Sequence, residues 1–497
     1  MKFDFQSLTF VETDLLPDKL AIAGSDVDFT WEEFRKQTEA LVKLLAENKI
    51  PAGHPVVIYG HKEASFAVSI MACIMSGIPY IPVDVSFPEG RVARIKESSG
   101  AQVVICTGKT NVPVEFEIRI SATGEVVKGA NAEPKPILQR ESDPLCYIMF
   151  TSGSTGEPKG VMITIEAVRS FVWWMQRDYP INPETVFMNQ AAFTFDISLI
   201  DLYGGLSLGS SIVLNTTEIA KQPALLFERI RKYNCTFWNS TPSFVFLCMS
   251  HPEFNCNSLP SMKDFILLGE VLPARTVKKI HEYFPGSRVY NAYGPTEAAV
   301  ATTLIEITEE VIQNSGADLP IGYAKDNNSV IIENESGRND EEGELIIVGD
   351  HVGIGYVNRP ELTQERFGTR GQKRLYRTGD FGYLKNGIVY FNGRKDDQVK
   401  LHGYRIETGE ISAVLVTHPE VKDAVTIPLK SGGQVRKIIS FVILKNNSVT
   451  SAAILNWAKT KLPEYMVPSD VRFIDEFPVT VSHKIDILQL QEIFMKG

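Results

Sequence analysis

At 497 residues the chain exceeds what one hydrophobic core ordinarily organises, so two or more domains are expected. A hydrophobic share of 44% beside 22% charged residues excludes a disordered chain. The formal net charge of −10 lacks the basic surplus of a nucleic-acid binder or of a protein that clings to anionic membranes.

The N-terminus, MKFDFQSLTF, has no apolar core of a signal peptide. Helical periodicity starts at Trp31 in WEEFRKQTEALVKLLAEN and gives way to the strand pattern HPVVIYG. The most membrane-like run, Ser65–Val83, contains Gly77, Pro79 and Pro82, so it reads as a core helix ending near Ser76–Gly77 and then a buried strand. AQVVICTG is a strand, and PALLFERIRKYN is a helix before the strand CTFWNS. This alternation predicts α/β layers with largely parallel sheets.

From about Gly343 the texture turns to strands and hairpins, with Asn386-Gly387 between apolar runs as a hairpin signal. Past Gly403 the order helix, strand, strand, helix predicts a compact α+β unit able to fold alone. The boundary falls near Gly393–Gln398, dividing the chain into 1–392 and 393–497. Six scattered cysteines show no metal spacing; most sit in apolar surroundings and read as buried thiols of a reducing compartment, and the expected location is cytoplasmic.

One loop stands apart. MFTSGSTGEPKGV, Met149–Val161, leaves an apolar strand with small residues, hydroxyls and Lys159. Open backbone N–H groups, hydroxyl donors and a cation describe a seat for a nucleotide phosphate. The Walker A spacing fails, because Gly156 is followed by Glu157, Pro158 and Lys159.

FTSGSTGEPKGV, NAYGPTEAA, YRTGDFG, NGRKDDQVKLHGYRIETGEIS, LPEYMVPS and a late Lys484 occur in one order over almost the whole chain. In this the chain resembles the adenylate-forming, amino-acid-activating enzymes, the adenylation domains of nonribosomal peptide synthesis. Through NQAAFTFDISLIDLY, STPSF, LGEVLP and VKLHGYR it is most similar to D-alanine–carrier protein ligases. The resemblance implies a large layered α/β N-terminal domain with a β-barrel-like subdomain, and a small mobile α+β C-terminal domain hinged at Asp396. It implies ATP and Mg²⁺, a small amino-acid substrate, and a separate phosphopantetheinylated carrier protein, with no nucleic acid and no membrane insertion.

The same resemblance assigns residues. Thr151, Ser152, Gly153, Ser154, Thr155, Gly156 and Lys159 fit the triphosphate seat. Asn291, Ala292, Tyr293 and Gly294 frame adenine; Asp380 and Arg394 take the ribose. Thr296 meets the α-phosphate and Glu297 holds Mg²⁺. Lys484 serves adenylation, and Arg405 meets phosphate in one state of the cycle. Asp196 pairs with the substrate ammonium, and Ile197, Ile200, Asn239, Ile266, Leu268, Gly269, Ala292, Val300 and Ala301 line the side-chain pocket. These are mostly aliphatic, so a small apolar amino acid is expected, D-alanine first, with glycine, L-alanine or proline as alternatives.

Four positions depart from the pattern: Leu268 and Ala292 stand where D-alanine ligases carry Cys and Thr, and Ser482-His483 replaces Asn-Gly before Lys484. An acyl-CoA synthetase and a catalytically silent nucleotide-binding relic are the competing readings.

Overall fold

The computed structural model describes residues 1–12, 17–108, 111–129, 132–135, 144–153, 157–315, 319–326, 328–336, 341–394, 398–431, 434–446, 449–478 and 485–496. The chain forms two compact units. One comprises Met1–Val85, Lys96–Phe150 and Gly160–Lys395; the other comprises Ser86–Ile95, Thr151–Lys159 and Asp396–Gly497.

In the large unit a nine-stranded sheet runs in the order Tyr323–Ala324, Thr303–Glu306, Arg288–Tyr293, Asp264–Leu267, Phe237–Ser240, Val186–Asn189, Ser211–Leu214, Leu20–Ala23 and Asp28–Thr30. From Arg288–Tyr293 through Leu20–Ala23 every pairing is parallel. Parallel neighbours require crossovers, which helices such as Pro223–Tyr233 and Ala274–Tyr283 supply. Register sets Asn239 opposite Ile266, and Leu267 opposite Asn291. Several residues named above therefore lie together at the carboxyl ends of these strands, where open α/β sheets bind ligands.

A second sheet of eight strands has Tyr80–Asp84, Val56–Gly60 and Val103–Cys106 at its parallel centre. Two helices, Ala64–Met75 and Ser198–Leu208, are apolar almost all round and almost wholly buried. A helix without a polar face needs cover on every side. One hydrophobic cluster provides it, running from strands of one sheet to strands of the other through both helices.

The expected barrel-like subdomain is corrected. Ser329–Glu333, Gly343–Val348, Lys373–Lys385, Phe367–Arg370 and Ile388–Arg394 form an open five-stranded antiparallel sheet, and no pairing among the described residues closes it. Register shifts at Glu344/Ile346 and Phe381/Gly382 bend the long central strand without joining the edges. Asn386 and Gly387, at φ 53° and 77°, make the tight hairpin turn expected between its last two strands.

The small unit holds an antiparallel hairpin, Gln398–Leu401 with Tyr404–Glu407, turning on His402 and Gly403 at φ 51° and 84°. Behind it stands a three-stranded sheet of Val421–Ser431, Gln434–Leu444 and Asp470–Phe473. Helices Thr408–Val416 and Ser451–Lys461 bury Ile411, Leu415, Ile454 and Ala458 in its core. No described helix is long and apolar enough to cross a membrane.

Candidate functional site

Asp196 and the N-cap Ile197 lead into the buried helix Ser198–Leu208. Ser198 and Leu199 donate their N–H groups to the carbonyls of Phe195 and Asp196 over 3.1 and 2.8 Å. An acidic side chain at a helix start meets the positive end of the helix dipole. Beside it lies Tyr147, whose buried phenol has no partner and whose pKa is driven well up, first by burial and then by Tyr80 and Asp196.

Ile200, Ile266, Leu268, Ala292, Val300 and Ala301 share one buried cluster, with Ile197 packed on it. Gly269 follows at φ 88°, a conformation that suits glycine. The structure thus sets these aliphatic residues within one buried apolar wall that also includes aromatic side chains.

Asn239 ties this wall to a polar network that the sequence did not disclose. Its amide donates to Ile197 O over 2.9 Å, while its own carbonyl oxygen is buried without a partner. Asn189 donates to Asp201 Oδ2 at 2.9 Å and to Ser198 O at 3.1 Å. Lys62, fully buried, donates to Asn189 Oδ1 and to Ala191 O, and lies 4.0 Å from the centre of the Phe193 ring. In YGHKEAS a lysine looks like a surface charge, so no local signal could have found it.

Among the nucleotide residues, Tyr293 donates to Asp380 Oδ2 over 2.6 Å, and Arg394 donates to Asp380 Oδ1 over 2.6 Å. Burial raises the Tyr293 phenol well above its ordinary range, and the neighbouring Asp380 carboxylate adds to the rise. Asn291 donates to Pro320 O at 2.7 Å. Gly294 is obligatory, since a Cβ there would lie 2.5 Å from Ala301 Cα.

Thr296 opens a single 3₁₀ turn that carries Glu297 inward. Glu297 is fully buried and accepts from Tyr356 Oη at 2.7 Å. Among the described residues no three His, Cys, Asp or Glu side chains gather as a metal cage. A lone carboxylate suits Mg²⁺, which commonly binds through one or two carboxylates and the substrate phosphates and keeps several waters.

The phosphate-type loop belongs to the small unit. Ser152 donates its hydroxyl to Arg405 O at 2.8 Å and accepts from Glu407 N at 3.1 Å. Gly153 N–H donates to Glu410 Oε2 at 3.0 Å, and Lys159 Nζ lies 3.1 Å from Glu407 Oε1. Glu410 also pairs with Arg91 at 2.7 Å, both side chains fully buried. Burial raises the Glu410 pKa, against the opposing pull of Arg91. The Thr151 hydroxyl is buried without a partner. Ser154, Thr155, Gly156, Asp396 and Lys484, with Ser482 and His483, lie outside the described residues.

Known proteins resemble this chain at both levels. The AMP-binding enzyme family model matches residues 12–357, and the model of its C-terminal domain matches 410–484. The D-alanine–D-alanyl carrier protein ligase of Bacillus licheniformis is 37% identical over 485 residues, 96% of each chain. The amide bond synthetase McbA of Marinactinospora thermotolerans superposes with a TM-score of 0.84 at 20% identity, covering 99% of this chain and 100% of that one. The Vibrio cholerae adenylation domain AlmE, solved in complex with glycyl-adenosine-5'-phosphate, gives 0.82 at 21% identity over 98% and 100%. These two likenesses concern the fold; the family matches carry the assignment, and the chain belongs to the AMP-binding enzyme family.

Proposed function

We propose that the chain is an ATP-dependent amino acid–carrier protein ligase acting on a small apolar amino acid, D-alanine first. The observation that carries this reading is Asp196, set just before a buried helix whose N-cap Ile197 packs on the buried cluster holding Ile200, Ile266, Leu268, Val300 and Ala301. The full-length identity with a D-alanine ligase supports it. A carboxylate at an aliphatic wall suits an ammonium with a small apolar side chain, because neither group is then buried against a mismatch.

In the first step a substrate carboxylate oxygen attacks the α-phosphorus of ATP, and the bond to pyrophosphate breaks. Tyr293 and Asn291 would hold adenine, and Asp380, fixed by Arg394, would accept the ribose hydroxyls. Thr296 and Lys484 would steady charge gathering on the phosphoryl oxygens and the attacking carboxylate. Glu297 would hold Mg²⁺, which when bound offsets charge on the phosphates. Thr151, Ser152, Gly153, Ser154, Thr155, Gly156 and Lys159 would seat the triphosphate. In the second step a pantetheine thiol of a carrier protein attacks the acyl carbon and AMP leaves, after movement at Asp396 of the domain spanning 393–497. The reaction would take place in the cytoplasm.

A pyrophosphate-exchange panel of D- and L-amino acids, run on the wild type and on Lys484→Ala, tests the reading. Exchange with one small apolar amino acid, lost in the variant, supports it. Exchange with fatty acids alone, full exchange in the variant, or acylation of CoA in preference to a holo-carrier protein overturns it.

A further inference from the structure

The segment from Gly294 to Thr302 holds a backbone its residues do not favour. Ala299 and Val300 have φ of 47° and 75°. The Ala301 N–H donates to Ala299 O over 3.0 Å, closing a turn around Val300. A bond from residue i+2 back to residue i around positive φ belongs to the rarer, strained γ-turn. For a β-branched residue such a φ is a genuine outlier. Conformations of this kind persist only where the surroundings over-determine them, and they cluster at functional sites.

Here the surroundings include one short strap, residues 349–353. Gly353 N–H donates to Glu297 O over 2.8 Å at one end of the turn. At the other end Thr302 Oγ1 and His351 Nε2 are 3.0 Å apart, and His351 Nδ1 is 3.0 Å from Asn328 Oδ1. An amide oxygen only accepts, so Nδ1 carries the proton, and the Thr302 hydroxyl donates to the lone pair of Nε2. Burial keeps this imidazole neutral, with Lys325, Arg374 and Lys373 adding to the effect.

Thr302 is held twice more: its N–H donates to Tyr293 O at 2.7 Å, and its carbonyl accepts from Lys325 N at 3.1 Å. The strap reaches the turn because it lacks side chains where it passes. A Cβ on Gly353 would lie 2.7 Å from Met162 O, and one on Gly349 would lie 1.7 Å from Asn328 Oδ1.

We propose that His351 is a positioning residue for substrate selection, holding Val300 and Ala301 through Thr302 as a fixed wall of the amino-acid pocket. The proposal rests on the reading of those two residues as pocket lining. A wall kept in a strained turn by a buried clamp cannot drift outward to admit a larger side chain. Without the clamp it relaxes and selectivity falls.

Pyrophosphate exchange on His351→Ala, Thr302→Val and the double variant tests this. Each single change should raise KM for the preferred amino acid about five- to ten-fold, the worth of one hydrogen bond. KM for ATP should stay within about two-fold, and larger aliphatic amino acids should become substrates. The double variant should be no worse than the worse single one, because a shared bond is lost only once.

Amide hydrogen exchange supplies a readout that needs no turnover: it should quicken at residues 298–302 and nowhere else. Equal rises in both KM values, additive losses, or unchanged amide exchange there would overturn the proposal. Thr302→Val preserves volume and so decides the matter even where His351→Ala does not fold. Should the wild type respond to a fatty or aryl acid and to no amino acid, the functional reading alone fails. The KM split measured with that acid then decides the role of His351.

Discussion

Lys62 has no exposed surface, and an ammonium in that position must find acceptors or lose its proton. Burial draws its pKa down to about 7, opposed by Asp201 and Asp84. Burial likewise pushes Asp201 up to about 8, opposed by its bonds to Asn189 and Asn239 and by Lys62. The signs follow from linkage. A carboxyl whose folded pKa is raised contributes stability at low pH and loses it as pH climbs through about 8. An amine whose folded pKa is lowered does the reverse, and its contribution grows with pH above about 7. In the wild type the two slopes oppose each other there. Lys62→Met removes the opposing one, so its stability should go on falling from neutral to about pH 8 and level off above it, by up to about 1.4 kcal/mol per pH unit. Thermal unfolding across that range checks it; a flat profile would show that Asp201 is already ionised in the folded protein at neutral pH. Asp380→Asn is the companion test on the nucleotide half. Removing a charged acceptor costs about 1.5–3 kcal/mol, so KM for ATP should rise about ten- to a hundred-fold with little change in the amino-acid KM.

Elements that persist over several turns or alternations announce themselves, and those that depend on distant partners do not. The helix Trp31–Glu47, capped by Thr30 with Glu33, and the buried helix Ala64–Met75 both follow from spacing and breakers in the chain. The hairpin turn at Asn386-Gly387 follows from two residues that tolerate positive φ. In contrast, Leu20–Ala23 pairs with Ser211–Leu214, a choice among many equivalent apolar strands that no local pattern encodes. The strap at residues 349–353 and the turn at Val300 are still less legible, because both are held by partners distant in the chain. The motifs placed Asp196, Tyr293 and Asp380 by family resemblance, whereas the contacts of Lys62, Asn189, Asp201 and His351 arise only from tertiary packing. Close packing between elements can be weighed at Gly205, on the buried helix Ser198–Leu208. A Cβ there would lie 2.5 Å from Ile212 Cγ1, within a strand that has no exposed side chains. Alanine would gain about 1 kcal/mol of helix propensity. Overpacking costs about 1–3 kcal/mol, so Gly205→Ala should be neutral to about 2 kcal/mol destabilising by denaturant unfolding. A clear gain in stability would mean the sheet yields where close packing says it cannot.

At the scale of the molecule, the phosphate-type loop belongs to the small unit, and three of its described donors are already engaged there. Ser152, Gly153 and Lys159 meet Arg405 O, Glu410 and Glu407 in turn. If this loop seats a triphosphate, ATP must displace a carboxylate from Lys159 before the lysine can meet a phosphate. Both side chains of that pair are about nine-tenths buried, so the competition is not screened away by solvent. Glu407→Gln keeps the size of the side chain and an oxygen acceptor for Gln398, which donates to it over 2.6 Å. It removes only the charge that competes with nucleotide. The variant should therefore bind ATP more tightly, with KM for ATP in pyrophosphate exchange lowered about two- to five-fold, a gain of about 0.4–1 kcal/mol. The same change should slow transfer to the carrier thiol, if the loop must return to Glu407 for the second step. A higher KM for ATP would show instead that Glu407 orders the loop for nucleotide. An unchanged KM would separate Lys159 from phosphate binding altogether.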